Sequence, residues 1–392
     1  MNVLGIIAEY NPFHNGHLYH LKSALSKTNA DYTVCIMSGN FIQRGEPALF
    51  NKFIRANMAI NCGIDLVVEL PVYYSVSTAE KFAYAGIKLL NECGANYVSF
   101  GCETADISQL ISISNLLSNE TYEYKNELKK QLSLGLSYPD ARSKVISKLL
   151  NISSHIINQP NNILAIEYLK AISQINPSIA TIPIERVDSN YYDTDSKTNI
   201  LSATGIREKL RRFEDVDIFM PQSTLSLIER PVFLEDFEQL ILFSLRKLSL
   251  EELKKLPDVT EGLENRILSA IISSSTLHEL IDKIKTKRYP LTRIKRILIS
   301  ALLTLSKDKL QEFDKLGGPQ YIRILGCSEK GKELLSTISK NSNLPIVTSI
   351  NKFLYAANDL QKEMLYKDIL ATNIYTLLTD NKTMNLDYTR RI

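Results

Sequence analysis

Short apolar runs alternate with helical periods through the first hundred residues, and that alternation leaves few folds open. Residues 2–8 form a continuous apolar run that reads as a buried parallel strand. Leu18, Leu21 and Leu25 then recur at helical spacing. Residues 32–37, 65–70 and 97–100 read as further strands, the 65–70 run being closed by Pro71. Residues 55–61 read as the end of one helix, residues 79–92 as another, and 179–184 as one more strand. Strands alternating with helices build βαβ units, so the expected class is α/β, with a Rossmann-like open parallel sheet. Ligands of such sheets sit at strand carboxyl ends. There the chain places His14–His17, then Ser38-Gly39-Asn40, then Gly101.

The texture changes further on. Residues 105–175 read as mostly helical, and from about 220 leucine, lysine and glutamate dominate while strand signals thin out. Helices are expected at 235–255, 262–287, 290–306, 329–340 and 358–371, with no internal repeat. At 392 residues the chain exceeds one typical core. The expected division is an α/β catalytic region at 1–220 and a mainly helical region at 221–392. A net charge of +3 is too mild, as a total, to argue for a polyanionic partner. Five cysteines without a C-x-x-C pair fit reduced thiols in the cytoplasm. Neither a signal-type start nor an apolar span of about 18 residues is present, so neither secretion nor a membrane is expected.

Three of the five histidines, His14, His17 and His20, fall within seven residues, after the first strand. In His14-Asn15-Gly16-His17 a glycine lets the backbone approach phosphate where a helix begins. Two imidazoles at i and i+3 can face one site, and the helix dipole adds to their field. Attack at the α-phosphorus of a nucleoside triphosphate builds negative charge that needs such donors. The plainer alternative is two surface histidines capping a helix. Metal binding is disfavoured, because no nearby carboxylate or cysteine completes a ligand set.

Other residues carry weaker signals. Ser202-Ala203-Thr204-Gly205-Ile206-Arg207 could cradle phosphate at a helix start, or Ser202 could be only an N-cap. Asn161 and Asn162 follow Pro160; their amides suit either helix capping or adenine and ribose recognition. Arg186, past the 179–184 strand, is a phosphate candidate or a structural ion pair. Glu9 could orient a histidine or a bound magnesium, or be an ordinary satisfied polar residue.

The His-x-Gly-His turn together with the later Ser/Thr-rich helix start and arginine resembles the HIGH-type nucleotidyltransferase superfamily. Residues Gly5–His20, Met37–Ala48, Pro160–Leu164, Lys287–Arg296 and Tyr321–Gly326 resemble, more closely, the bacterial tRNA(Met) cytidine acetate ligase family. That resemblance covers nearly the whole chain. It implies a nucleotidyltransferase-type sheet and two steps. Acetate attacks ATP to give acetyl-adenylate and pyrophosphate; the acetyl group then passes to the exocyclic amine of the wobble cytidine of elongator tRNA(Met). It further implies that His14 and His17 are catalytic. ATP would touch Ile7, Ala8, Glu9, Tyr10, Asn11, Pro12, Phe13, His14, Asn15, Gly16, His17, Leu18, Tyr19 and His20, then Gly101, Asn162 and Arg186. Arg207 would be a further phosphate contact. Magnesium is expected with ATP, although no protein ligand for it stands out. Two departures appear. Asn51 stands where the family would have aspartate, and Gly205 replaces a larger residue.

Residues 281–300 hold seven basic side chains against one acid, Asp282. Such concentration suits phosphate binding, and Tyr289 among the cations could stack on a base. A solvated helix face is the plainer reading. Lys287, Arg288, Arg293 and Arg296 are the expected RNA contacts, with Arg323, Lys330 and Lys332 as lesser candidates. Two other functions remain open: a small-molecule adenylyltransferase using the same turn, and a non-catalytic RNA-binding protein with a vestigial nucleotide site.

Overall fold

The computed structural model describes residues 1–104, 106–186 and 199–390. Among them a seven-stranded sheet forms the centre. Its strands are β1 (Val3–Ala8), β2 (Tyr32–Ser38), β5 (Leu66–Leu70), β6 (Tyr97–Cys102), β7 (Ala180–Glu185), β8 (Ile322–Cys327) and β9 (Ile346–Val347). Two short strands, β3 (Phe41–Ile42) and β4 (Glu46–Pro47), make a separate antiparallel ribbon. The sheet order is β7-β6-β1-β2-β5-β8-β9. Every neighbouring pair is parallel except β5 and β8. The expected open parallel sheet is therefore present, widened by an antiparallel strand from the C-terminal region.

Burial explains the strand sequences. Val34, Ile36, Leu66, Val68 and Leu70 have no exposed surface, as expected of central strands covered on both faces. Each such side chain stabilises the fold by about 1.5–3 kcal/mol relative to exposure. Helix α1 (Asn15–Thr28) follows β1, and α2 (Lys52–Asn61) leads into β5. Asn51 is the N-cap of α2, its Oδ1 accepting from the amides of Phe53 at 2.9 Å and Ile54 at 3.1 Å. An amide oxygen serves that purpose as a carboxylate would.

Residues 221–390 are mainly helical, with breaks that short polar caps explain. The expected 262–287 helix divides into Leu263–Ser273 and Leu277–Ile284, the second capped by Thr276. The 235–255 span divides at Ser249, which forms a reciprocal capping box with Glu252. One continuous apolar core includes Val3, Leu66, Phe237, Ile324 and Tyr375, so it crosses residue 220 without interruption.

A buried ion network ties the chain's end to the sheet. Lys52 Nζ lies 2.8 Å from Glu69 Oε1 and 3.0 Å from Asp387 Oδ1. Arg323 Nη1 lies 2.9 Å from Glu69 Oε2 as an ion pair, and Arg323 Nη2 donates to Asp387 Oδ1 at 2.5 Å. Burial pushes the Asp387 carboxyl up, but Arg323 and Lys52 outweigh it and hold the group below the usual carboxylate range. Nearby, Tyr321 donates to Asp368, which also accepts from the Val72 amide. Arg323 therefore sits inside the protein and is no RNA contact.

Candidate functional site

The His-x-Gly-His turn builds its geometry locally. His14 is the N-cap of α1 and is itself buried. Its Nδ1 accepts the Gly16 amide at 3.0 Å, while His17 Nδ1 accepts the His14 amide at 3.3 Å. The two rings lie with centroids 3.8 Å apart. Because each Nδ1 receives a backbone N–H, each proton belongs on Nε2. Both imidazoles are thereby set as donors at a helix N-terminus. His20 is handled differently. Ser99 donates its hydroxyl to the Ile182 carbonyl at 2.9 Å, so at 2.9 Å from His20 Nε2 it accepts.

Burial holds these rings neutral. It lowers His14 to about 3 and His20 to about 4, with Arg186 adding to the effect in both. His17 is lowered well below 6.5 by burial, then by His14 and Arg186. The unfolded chain therefore binds more protons than the folded one below pH 6.5, and stability falls as pH drops. We expect a loss approaching about 1.4 kcal/mol per pH unit for each histidine between pH 6.5 and 4.5. Calorimetry of the wild type and of an H14Q/H20Q double variant checks this, since the variant should show a shallower slope across that window.

Gly16 has a steric role that its neighbours define. A Cβ there would stand 2.7 Å from His14 Cε1 and 3.0 Å from His14 Nδ1. Only glycine lets the His14 ring fold back onto the Gly16 amide. Gly16→Ala should displace the ring, cost about 1 kcal/mol of helix capping, and weaken triphosphate binding at least tenfold in titration calorimetry. A variant that binds ATP like the wild type would contradict this account.

A cavity of about 560 Å³ opens at the carboxyl ends of β1, β6 and β7. Its lining combines apolar Ile7, Phe82, Phe100, Leu164 and Tyr168 with polar His14, His17, Arg44, Arg186 and Arg207. Arg207 is anchored by bonds from its guanidinium to the Asn11 carbonyl at 3.0 Å and to Thr204 Oγ1 at 2.9 Å. The Arg186 stem packs over Gly101, where an added Cβ would make only ordinary contact at 3.4 Å. Beneath the floor, buried Arg55 gathers the ends of β1 and β2. It donates to the carbonyls of Glu9 at 2.5 Å, Phe50 at 2.9 Å, Ser38 at 3.1 Å and also Gly39. Burial lowers Arg55 to about 10, which leaves it charged at neutral pH.

The comparisons with known proteins agree with this geometry. The pattern of the HIGH Nucleotidyl Transferase family matches residues 1–389. A tRNA(Met) cytidine acetate ligase of Acetivibrio thermocellus is 41% identical over 399 residues, covering 97% of this chain and 96% of that one. The crystal structure of apo Thermotoga maritima TmcAL superposes with a TM-score of 0.93 at 33% identity, covering 100% of this chain and 99% of that one. This chain belongs to the tRNA(Met) cytidine acetate ligase family. The same Thermotoga protein, in a crystal structure bound with alpha-thio ATP, superposes with a TM-score of 0.92 at 33% identity, with the same coverage.

For this tRNA(Met) cytidine acetate ligase family member, the cavity gathers most of the expected nucleotide contacts. Ile7, Ala8, Glu9, Tyr10, Asn11, His14, Gly16, His17, Tyr19, His20, Gly101, Arg186 and Arg207 all line it. Pro12, Phe13, Asn15, Leu18 and Asn162 do not. Phe13 lies in the core, and Leu18 packs against it. Asn15 uses its amide on the carbonyls of Asn199 and Ile218. Asn162 has no exposed surface. Its Oδ1 accepts the Glu103 amide, and its Nδ2 donates to the Ile156 carbonyl and Gln159 Oε1. Asn162 is thus a structural tie, while its neighbour Asn161 reaches the cavity.

The phosphate-cradle segment and the Ser38–Asn40 segment also resolve. Ser202 Oγ caps its helix by accepting the Gly205 amide at 3.1 Å, and Ser202 and Thr204 both line the cavity. A Cβ on Gly205 would stand 2.8 Å from Leu201, so the small residue fits a close contact. Asn40 is buried instead. It accepts the Lys52 amide and donates to Thr372. Gln43, Arg44 and Thr292 line the cavity without having been singled out as nucleotide contacts. Gln43 and Arg44 lie in the Met37–Ala48 block, which was the available signal.

The basic segment is largely neutralised from within. Arg296 pairs with Asp258 at 2.7 Å and is buried. Arg293 donates to the Asp258 carbonyl and Thr260, and lies 3.6 Å from Glu261. Tyr289 is buried and donates to the Glu261 carbonyl, which removes it as a stacking platform. Lys295 pairs with Glu46. These four residues fix the segment onto its neighbours. Lys287 and Arg288 are exposed, Arg288 with a 3.3 Å contact to Glu261. Lys332 pairs with Glu329, and Lys330 donates to the Asp31 carbonyl.

Proposed function

We propose that this chain activates acetate with ATP and passes the acetyl group to the exocyclic amine of the wobble cytidine of elongator tRNA(Met). The first step forms acetyl-adenylate and releases pyrophosphate; the second releases AMP. The observation that carries this reading is one cavity that joins two chemistries. Neutral histidines, Arg186 and the anchored Arg207 line it, and Thr292, from the helix carrying the basic segment, lines it too. His14 and His17 would donate to the charge that develops on the α-phosphate and the leaving pyrophosphate. Arg186 and Arg207 would hold the phosphates, and the apolar lining residues would take the adenine. Lys287 and Arg288 would meet the tRNA backbone.

Among the described residues no group of three or more His, Cys, Asp or Glu side chains is placed to hold a metal ion. Magnesium would accompany the triphosphate, with phosphate oxygens and water as its main ligands. No helix among the described residues is long and apolar enough to cross a membrane. With free cysteines and a tRNA substrate, the expected compartment is the cytoplasm.

Radiolabelled ATP–pyrophosphate exchange with and without acetate tests the activation step. Mapping acetylcytidine in tRNA(Met) tests the acceptor. Exchange that ignores acetate, or acetyl transfer to a small nucleotide instead of tRNA, would favour the adenylyltransferase alternative.

Lys287→Ala/Arg288→Ala should weaken tRNA binding and lower the salt dependence of its log K by about 0.7–0.9 per contact removed. Arg296→Ala should leave that slope unchanged and instead destabilise the fold, because it strands Asp258. Filter binding across a salt series separates the two outcomes.

A further inference from the structure

The two proposed half-reactions differ in their need for a proton acceptor. Acetate enters the first as a carboxylate and leaves as a mixed anhydride, with no proton to move. In the second, the cytidine amine forms a bond to the acetyl carbon, the carbon–oxygen bond to AMP breaks, and one amine proton must depart. The amine lone pair is delocalised into the ring, so a base that takes the proton as the bond forms lowers the barrier.

The cavity offers few such bases. His14 and His17 have their Nδ1 atoms committed to backbone amides and present only N–H. His20 spends Nε2 on Ser99, and its low basicity makes it a poor acceptor. Glu185 is exposed at the end of β7.

Glu9 differs from all of these. It stands at the carboxyl end of β1 on the cavity wall. Its Oε1 accepts the Gln43 amide at 3.0 Å, and its own carbonyl is held by Arg55 at 2.5 Å. The backbone is thus held by Arg55 and the carboxylate by the Gln43 amide, and among the described residues no hydrogen bond engages Oε2. The charged and titratable groups that face it are Arg44 and Glu46 from the β3–β4 ribbon, Arg207 from the helix Ala203–Arg211, Arg55 from α2 and Tyr168 from the helix Pro160–Ile175. A fixed carboxylate in a polyanion site opposes phosphate binding, so its presence calls for a use outside the first step.

Resting on the acetate-ligase reading above, we propose that Glu9 is the general base of acetyl transfer, taking the cytidine amine proton on Oε2 as AMP leaves. The proton passes to water when the products depart. Burial pushes the Glu9 carboxyl above its usual range despite Arg44 and Arg207, which brings its basicity closer to neutral pH.

The test uses full-length enzyme, synthetic acetyl-adenylate and tRNA(Met). Glu9→Gln should slow single-turnover acetyl transfer about 10²–10³-fold, while acetate-dependent ATP–pyrophosphate exchange at saturating ATP falls much less, any lost ATP contact appearing in the KM for ATP. Wild-type transfer should fall on the acid side of an inflection that E9Q lacks. Glu9→Asp should keep the inflection at a reduced rate, which decides the matter should E9Q fail to fold. Equal losses in both half-reactions, an unchanged transfer rate, or an inflection retained in E9Q would overturn the proposal. Absence of acetate-dependent exchange in the wild type would instead overturn the reading on which it rests.

Discussion

Replacing His17 with alanine will lower acetate-dependent ATP–pyrophosphate exchange by about 10²–10³-fold, with little change in melting temperature. The figure is that of one preorganised donor removed from a developing oxyanion, about 2.7–4 kcal/mol of barrier. His17 is held for the task by the His14 amide on Nδ1 and by Tyr10 and Phe13 packed against its ring. A His17→Gln variant should retain more activity than the alanine, because a glutamine amide can place an N–H near the position of Nε2. Burial keeps the ring neutral, so it donates without having to give up a proton. Loss of exchange together with collapse of the melting transition would instead identify His17 as a scaffold residue. Full activity in the alanine variant would remove it from the chemistry altogether.

Lys52→Met should destabilise the protein by about 3–5 kcal/mol. The methionine fills the space, but Glu69 and Asp387 are then left buried, with Arg323 as their only shared cation among the described residues. Denaturant unfolding measures the loss directly. A triple replacement of Lys52, Glu69 and Asp387 by apolar residues should recover much of it, since the cost lies in uncompensated charge. A stability loss under about 1 kcal/mol for the single variant would mean that the network is solvated.

The sheet was legible where its signals are local. β1, β2, β5, β6 and β7 are continuous apolar runs bounded by turns, and the helices between them carry their own periodicity. β8 was not, although Tyr321–Gly326 carried part of the resemblance. Six residues become a strand only because β5 presents an open edge some 250 positions earlier, and no local pattern records that partner. The histidine turn was legible because its geometry is made within four residues. The fate of the basic segment was not. Asp258 and Glu261, which engage Arg293 and Arg296, lie about 30 positions upstream and look like ordinary surface acids. Asn162 shows the same limit: a side chain suited to recognising a base meets its hydrogen-bond demand from Glu103, Ile156 and Gln159 instead.

The late arrival of β8 sets an order on biosynthesis. The strands that carry the cavity are complete by residue 185, yet β5 keeps an unpaired edge until residue 327 has been made. At elongation rates of about 5–20 residues per second, that interval lasts roughly 7–30 s. A nascent chain of this kind exposes a ready template for strand pairing throughout. A chain stalled within that interval would hold most of the proposed nucleotide contacts while its β5 edge stays open to pairing.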